Sequence, residues 1–116
     1  MAMNAAYFNA LRTAGKSAIT HIGLVNASGV ELTGGTPAYA RQAVTWADGA
    51  DGVMNPNANL TFDVPSGTTV GGWRGYSAAT SGTNYGGEDL TQETFANQGT
   101  YTLLAASTSI TIAAGA

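Results

Sequence analysis

The clearest pattern in the chain is Leu60-Thr61-Phe62-Asp63-Val64, where three apolar residues alternate with two polar ones. Successive side chains of a strand point to opposite faces, so this segment predicts a half-buried β-strand, turned by Pro65-Ser66-Gly67. Period-two patterning also predicts strands over 19–25, 39–46 and 70–77. In the second of these, Val44 and Trp46 share one side and Ala43 and Thr45 the other. Residues 30–32 read as a brief pairing segment, 84–90 as a weakly patterned one. Tyr101 with Leu103, and Ile110 with Ile112, mark two closing strands.

Between these segments stand turn formers: Asn26-Ala27-Ser28-Gly29, Gly34-Gly35-Thr36-Pro37 and the stretch 78–83. Residues 47–58 read as loop, because they hold two Asp-Gly steps and Asn55-Pro56-Asn57. The glycines around Trp73 point to a bulge or a close backbone approach.

One segment switches to helical spacing. Tyr7, Ala10, Leu11 and Ala14 fall at i, i+3, i+4 and i+7, one face of a helix over about 4–14. Asn4 suits the N-cap, Arg12 suits the negative end of the dipole, and Gly15 suits the left-handed residue after the last turn. The apolar face is expected across one end of a sheet, or against a neighbouring subunit. Together the elements predict a mainly β fold, an antiparallel β-sandwich or jelly-roll-like barrel over about 18–113 with one short N-terminal helix. The whole of 1–116 reads as a single domain.

Composition narrows the function classes. Only 9% of residues are charged, against about one-quarter in an ordinary soluble domain. There are seven acids, four bases, one histidine and no cysteine, which excludes disulfides, thiolate nucleophiles and cysteine metal sites. A net charge of −3 with scattered cations (Arg12, Lys16, Arg41, Arg74) argues against nucleic-acid partners, which need clustered Lys and Arg. No apolar run approaches the ~20 residues of a membrane helix, and the first ten residues lack the pattern of a secretory signal. Large buried area comes only from two Trp, three Phe and five Tyr, so stabilisation by partner subunits is expected.

No catalytic, cofactor or metal residue is assigned. His21 has no acid or nucleophile near it in sequence to form a triad and reads as structural. The loop Asp48-Gly49-Ala50-Asp51-Gly52 lacks the Glu a calcium loop requires at its twelfth position, where Asn59 stands. Glu88, Asp89 and Glu93 are the residues a glycoside hydrolase reading would use, provided two of them face each other across a cleft. Gly71-Gly72 and Gly86-Gly87 are not followed by the Lys-Ser or Lys-Thr of a phosphate loop. The candidate interface residues are Tyr39, Arg41, Trp46, Trp73 and Tyr76, with Arg41 beside Tyr39 as the foremost anchor, since Arg and Tyr are enriched in binding hot spots. The competing role for Arg41 is capping loop carbonyls within its own domain.

The run Gly34-Gly35-Thr36-Pro37-Ala38-Tyr39-Ala40-Arg41-Gln42-Ala43-Val44-Thr45-Trp46 resembles a segment of small virion proteins of tailed, actinobacterial-type bacteriophages, often labelled tail fibre or minor structural protein. The resemblance extends to the Leu60–Pro65 strand, to Thr69-Val70-Gly71-Gly72-Trp73-Arg74-Gly75-Tyr76, and to Ile110-Thr111-Ile112. It implies a non-enzymatic structural protein located in the virion, on the capsid or tail surface. The favoured version is a capsid decoration or minor capsid protein, bound to the major capsid protein and self-associating, as a trimer by analogy. The alternative is a tail fibre or minor tail protein that contacts the host surface through its aromatic residues. Neither version implies a cofactor, a nucleic acid or a membrane.

Overall fold

A computed structural model describes residues 4–49 and 52–112. The fold is mainly β, with antiparallel sheets and one helix near the N-terminus, α1 (Ala5–Ala18). The strands are β1 (His21–Val25), β2 (Gln42–Ala43), β3 (Trp46–Asp48), β4 (Val53–Pro56), β5 (Leu60–Val64), β6 (Thr68–Tyr76), β7 (Asn84–Phe95), β8 (Gly99–Leu103) and β9 (Ile110–Thr111). They form a four-stranded sheet in the order β2-β1-β6-β7, a three-stranded sheet β3-β4-β9, and the pair β5-β8.

One core joins the three sheets. The four-stranded sheet contributes Ile22, Leu24, Val70 and Trp73, the β5-β8 pair contributes Phe62, Val64 and Leu103, and the third sheet contributes Trp46 and Met54. Alternation on β5 works as predicted: Phe62 and Val64 are fully buried, and Thr61 is exposed. Thr61 then meets Thr102 across the pair, hydroxyl to hydroxyl at 3.1 Å.

Several elements differ from the sequence expectation. Asn4 caps α1 as predicted, its Oδ1 accepting from Tyr7 N–H at 3.2 Å. The helix nevertheless runs through Gly15 to Ala18, and Ile19 N–H closes it on the Gly15 carbonyl. Gly15 faces the body there, with room for a Cβ in ordinary van der Waals contact with Ile112 Cδ1 at 3.6 Å and Met54 Cε at 3.7 Å. The helix also meets the body with Phe8, Arg12, Gly15 and Lys16, which are half-buried, while Tyr7, Ala10, Leu11 and Ala14 remain exposed.

The expected strand over 39–46 is split, with β2 and β3 in different sheets. Between them, Val44 N–H bonds to the Thr20 carbonyl and Thr45 accepts from Asn57 N–H, so the chain crosses from one sheet to the other. The segment read as loop holds the β3-β4 hairpin, in register Trp46↔Pro56 and Asp48↔Met54. Burying Trp46, Met54 and Pro56 on one side outweighs the turn propensity of Asn and Pro. Ala50 and Asp51 of the glycine-rich acidic loop lie outside the described residues. The segment at 30–32 shrinks to a single bridge, Val25↔Glu31, whereas the weakly patterned stretch becomes the twelve-residue β7.

Candidate functional site

The Gly-Gly-Thr-Pro excursion between β1 and β2 folds two residues of the resemblance segment onto the outer face of the four-stranded sheet. There Arg41 meets Glu31, a residue the sequence reading did not single out. Arg41 Nε and Nη2 donate to the two Glu31 carboxylate oxygens, each at 2.8 Å. Arg41 Nη1 donates to the carbonyls of Ala78 at 2.9 Å and Ser81 at 2.8 Å, tying down the β6-β7 loop. The guanidinium also lies 3.6 Å from the centroid of the Tyr76 ring, a cation–π contact. The Tyr39 hydroxyl completes the network, donating to Glu31 Oε2 at 2.8 Å and accepting from Leu24 N–H at 2.9 Å.

Gly23 makes room for this arrangement. A Cβ on Gly23 would fall 2.6 Å from the Tyr39 hydroxyl, 2.8 Å from Glu31 Oε2 and 2.9 Å from Tyr76 Cε2. The network therefore occupies the volume that any other residue on β1 would fill. Its electrostatics follow from the same contacts. Burial alone would raise the Glu31 carboxyl, but the hydrogen bonds from Arg41 and Tyr39 and the Arg41 charge outweigh it and hold the pKa below the ordinary carboxylate value. Burial and the bond to Glu31 push the Tyr39 phenol far up, so it stays a neutral donor. The bond to Glu31 raises Arg41 further.

Three of the five interface candidates thus come together, Tyr39, Arg41 and Tyr76, and they face one another. Of the two roles weighed for Arg41, the structure shows the internal one: the guanidinium holds loop carbonyls and an acid of its own chain. Tyr76 is 5% exposed, Trp46 6% and Trp73 2%, so these rings spend their area inside the chain. Trp46 Nε1 donates to the Ile19 carbonyl at 2.9 Å, satisfying its polar atom within the core. The signal for Glu31 lay in scarcity. It is the only acid in the first 47 residues, and in a chain so poor in charge an arginine ten positions away is its natural partner.

The other candidates disperse. His21 Nδ1 pairs with the Thr20 hydroxyl at 2.9 Å, and among the described residues no three His, Asp or Glu converge to hold a metal. Asp48 bonds Lys16 Nζ at 2.8 Å, which holds its carboxyl low. Glu88 and Asp89 are neighbours on β7 and so point to opposite faces. Asp89 is bound by Arg74 at 3.1 Å, and Glu93 stands beyond the irregularity of the strand, opposite Val70.

β7 presents a long exposed surface. It forms one end of the four-stranded sheet, and its twelve residues are exposed on both faces except at Leu90 and Phe95, which are half-buried. Its pairing with β6 is interrupted where Leu90, Thr91 and Gln92 stand opposite Gly71. Beside its first residues an open hollow of about 290 Å³ is lined by Trp73, Ile19 and Ile110 on the apolar side and by Tyr85, Glu88 and Ser109 on the rim. Comparison of the chain with family models, curated proteins and solved structures finds no match.

Proposed function

We propose that this chain is a non-enzymatic structural component of a tailed-phage virion, seated on the outer capsid shell and holding neighbouring subunits through surface contacts. The observation that carries this reading is β7, a twelve-residue edge strand open to solvent on both faces. An edge strand of this length offers backbone donors and acceptors to another chain on either side of its irregular stretch at residues 90–92. The ion pairs support the same reading. Arg41, Lys16 and Arg74 each pair with an acid of this chain. The likeness of the Gly34–Trp46 and Thr69–Tyr76 segments to small virion proteins supplies the biological setting.

Counting copies in purified particles tests it. Hundreds of copies per particle support the shell assignment, a handful move the protein to the tail, and absence from particles refutes the reading. The tail version has one observation in its favour, the hollow beside the exposed Tyr85 ring, which is 52% accessible and suits a sugar face. Loss of glycan binding in Tyr85→Ala would support host contact. Trp73 cannot serve in that test, because it is a core residue.

A further inference from the structure

We infer that the open hollow beside the first residues of β7 binds a small amino alcohol, an organic ammonium ion bearing an oxygen that accepts a hydrogen bond. The inference stands apart from the virion assignment. Strand register places the site. Trp73 on β6 stands opposite Glu88 on β7, and facing residues of an antiparallel pair project to the same side of the sheet. That side is the inner one, since Trp73 belongs to the core. There the Glu88 and Trp73 side chains line one hollow with Ile19, Ile110, Tyr85 and Ser109. Gly86, opposite Gly75, adds no side chain, and a Cβ at that position would meet no atom within 4 Å.

Two polar groups of this hollow have no partner among the described residues. The four cations of the chain are engaged elsewhere: Lys16 with Asp48, Arg41 with Glu31, Arg74 with Asp89, and Arg12 with the Ile112 carbonyl. The exposed Glu88 carboxylate is left without one. The second group is the Trp73 indole N–H. Trp73 is 2% exposed, and its nitrogen bonds to none of the described residues, whereas that of Trp46 donates to the Ile19 carbonyl. Among those residues no fully buried side-chain nitrogen or oxygen lacks a partner, so this N–H reaches the surface, and the hollow is the opening that Trp73 lines. These groups define a ligand. A positive charge neutralises Glu88 where the apolar walls exclude water. A small apolar body lies against Ile19, Ile110 and the Tyr85 ring, whose face attracts a cation. One acceptor oxygen satisfies the Trp73 N–H. A neutral sugar would desolvate Glu88 without a counter-charge, and an anion would be repelled by it. The volume of about 290 Å³ lies at the small end of ligand sites and suits such a molecule.

Titration of the isotope-labelled full-length protein with choline, followed by NMR at matched ionic strength, tests the site. Choline is expected to shift the amide signals of Gly86, Gly87 and Glu88 and the Trp73 indole signal, with a Kd of about 1–10 mM for so small a ligand. Two analogues separate its features. The neutral isostere 3,3-dimethylbutan-1-ol lacks the charge and is expected to bind at least about fivefold more weakly; tetramethylammonium lacks the oxygen and is expected to bind about threefold more weakly. Glu88→Gln, at an exposed position, is expected to weaken choline to the level of the isostere while leaving the isostere unchanged. Tyr85→Ala, at a residue 52% exposed, is expected to weaken both cations and serves as the second variant. Phosphocholine distinguishes the sources, and both outcomes sustain the site: binding as tight as choline assigns it to a headgroup ester, weaker binding to the free amino alcohol. Equal binding of choline and either analogue, choline binding unchanged in Glu88→Gln, or no shift at Gly86 to Glu88 overturns the inference. Binding of methyl glucoside in place of choline also overturns it and returns the hollow to the glycan reading.

Discussion

Arg41→Ala is the most informative single perturbation of this molecule. The guanidinium retains 9% side-chain exposure and Glu31 27%, and the substitution removes both bonds to the carboxylate and both bonds to the β6-β7 loop carbonyls. Breaking a buried ion pair by deleting one partner costs about 3–5 kcal/mol, because the surviving charge stays desolvated. Glu31 keeps roughly a quarter of its exposure, so water partly replaces the lost partner and the cost falls to about 2–3 kcal/mol. For a chain of this length that is a fall in melting temperature of about 8–12 °C. Chemical denaturation of wild type, Arg41→Ala, Glu31→Gln and the double variant closes a cycle. Glu31→Gln keeps the shape and an acceptor for Tyr39, so it is expected to cost about 1 kcal/mol, and the double variant to cost less than the two singles summed. A loss below about 0.5 kcal/mol in Arg41→Ala, the range of an ordinary surface change, would refute the view that this network anchors the loop.

Three further outcomes follow from the same contacts. The Glu31 pKa is lower folded than unfolded, so its contribution is complete above the ordinary carboxylate value and is lost as pH falls through the depressed one; melting curves from neutral pH to below about pH 4 should steepen in wild type and flatten in Glu31→Gln. Gly23→Ala drives a methyl into Tyr39, Glu31 and Tyr76 and is expected to cost about 1–3 kcal/mol by denaturant titration, with part of the loss recovered when Tyr39→Phe removes the closest atom. Phe62→Ala empties a fully buried site and is expected to cost about 3–5 kcal/mol, whereas Val30→Ala, at a residue 61% exposed, stays within about 0.5 kcal/mol on the same assay.

What could be read directly from the residues was local. The β5 alternation, the Asn4 cap and the mainly β character each depend on neighbours two to four positions apart, where side-chain direction and hydrogen bonding are set by the backbone itself. The helix was legible as a helix, and its unpaired apolar stripe was legible as a stripe. Which side of it touches the body was not, because Ile112 and Met54 arrive there from distant parts of the chain.

Tertiary structure decided everything that rests on long-range packing. It split the expected strand over 39–46, since Gln42–Ala43 pairs with β1 while Trp46–Asp48 pairs with β4. It turned an Asn- and Pro-bearing loop into a hairpin, because burying Trp46 and Met54 outweighs local turn preference. It also drew Tyr39, Arg41 and Tyr76 inward onto Glu31. Sequence reasoning could nominate Arg41 as an anchor but could not say for what, since a guanidinium binds whichever carboxylate and carbonyls the fold delivers to it.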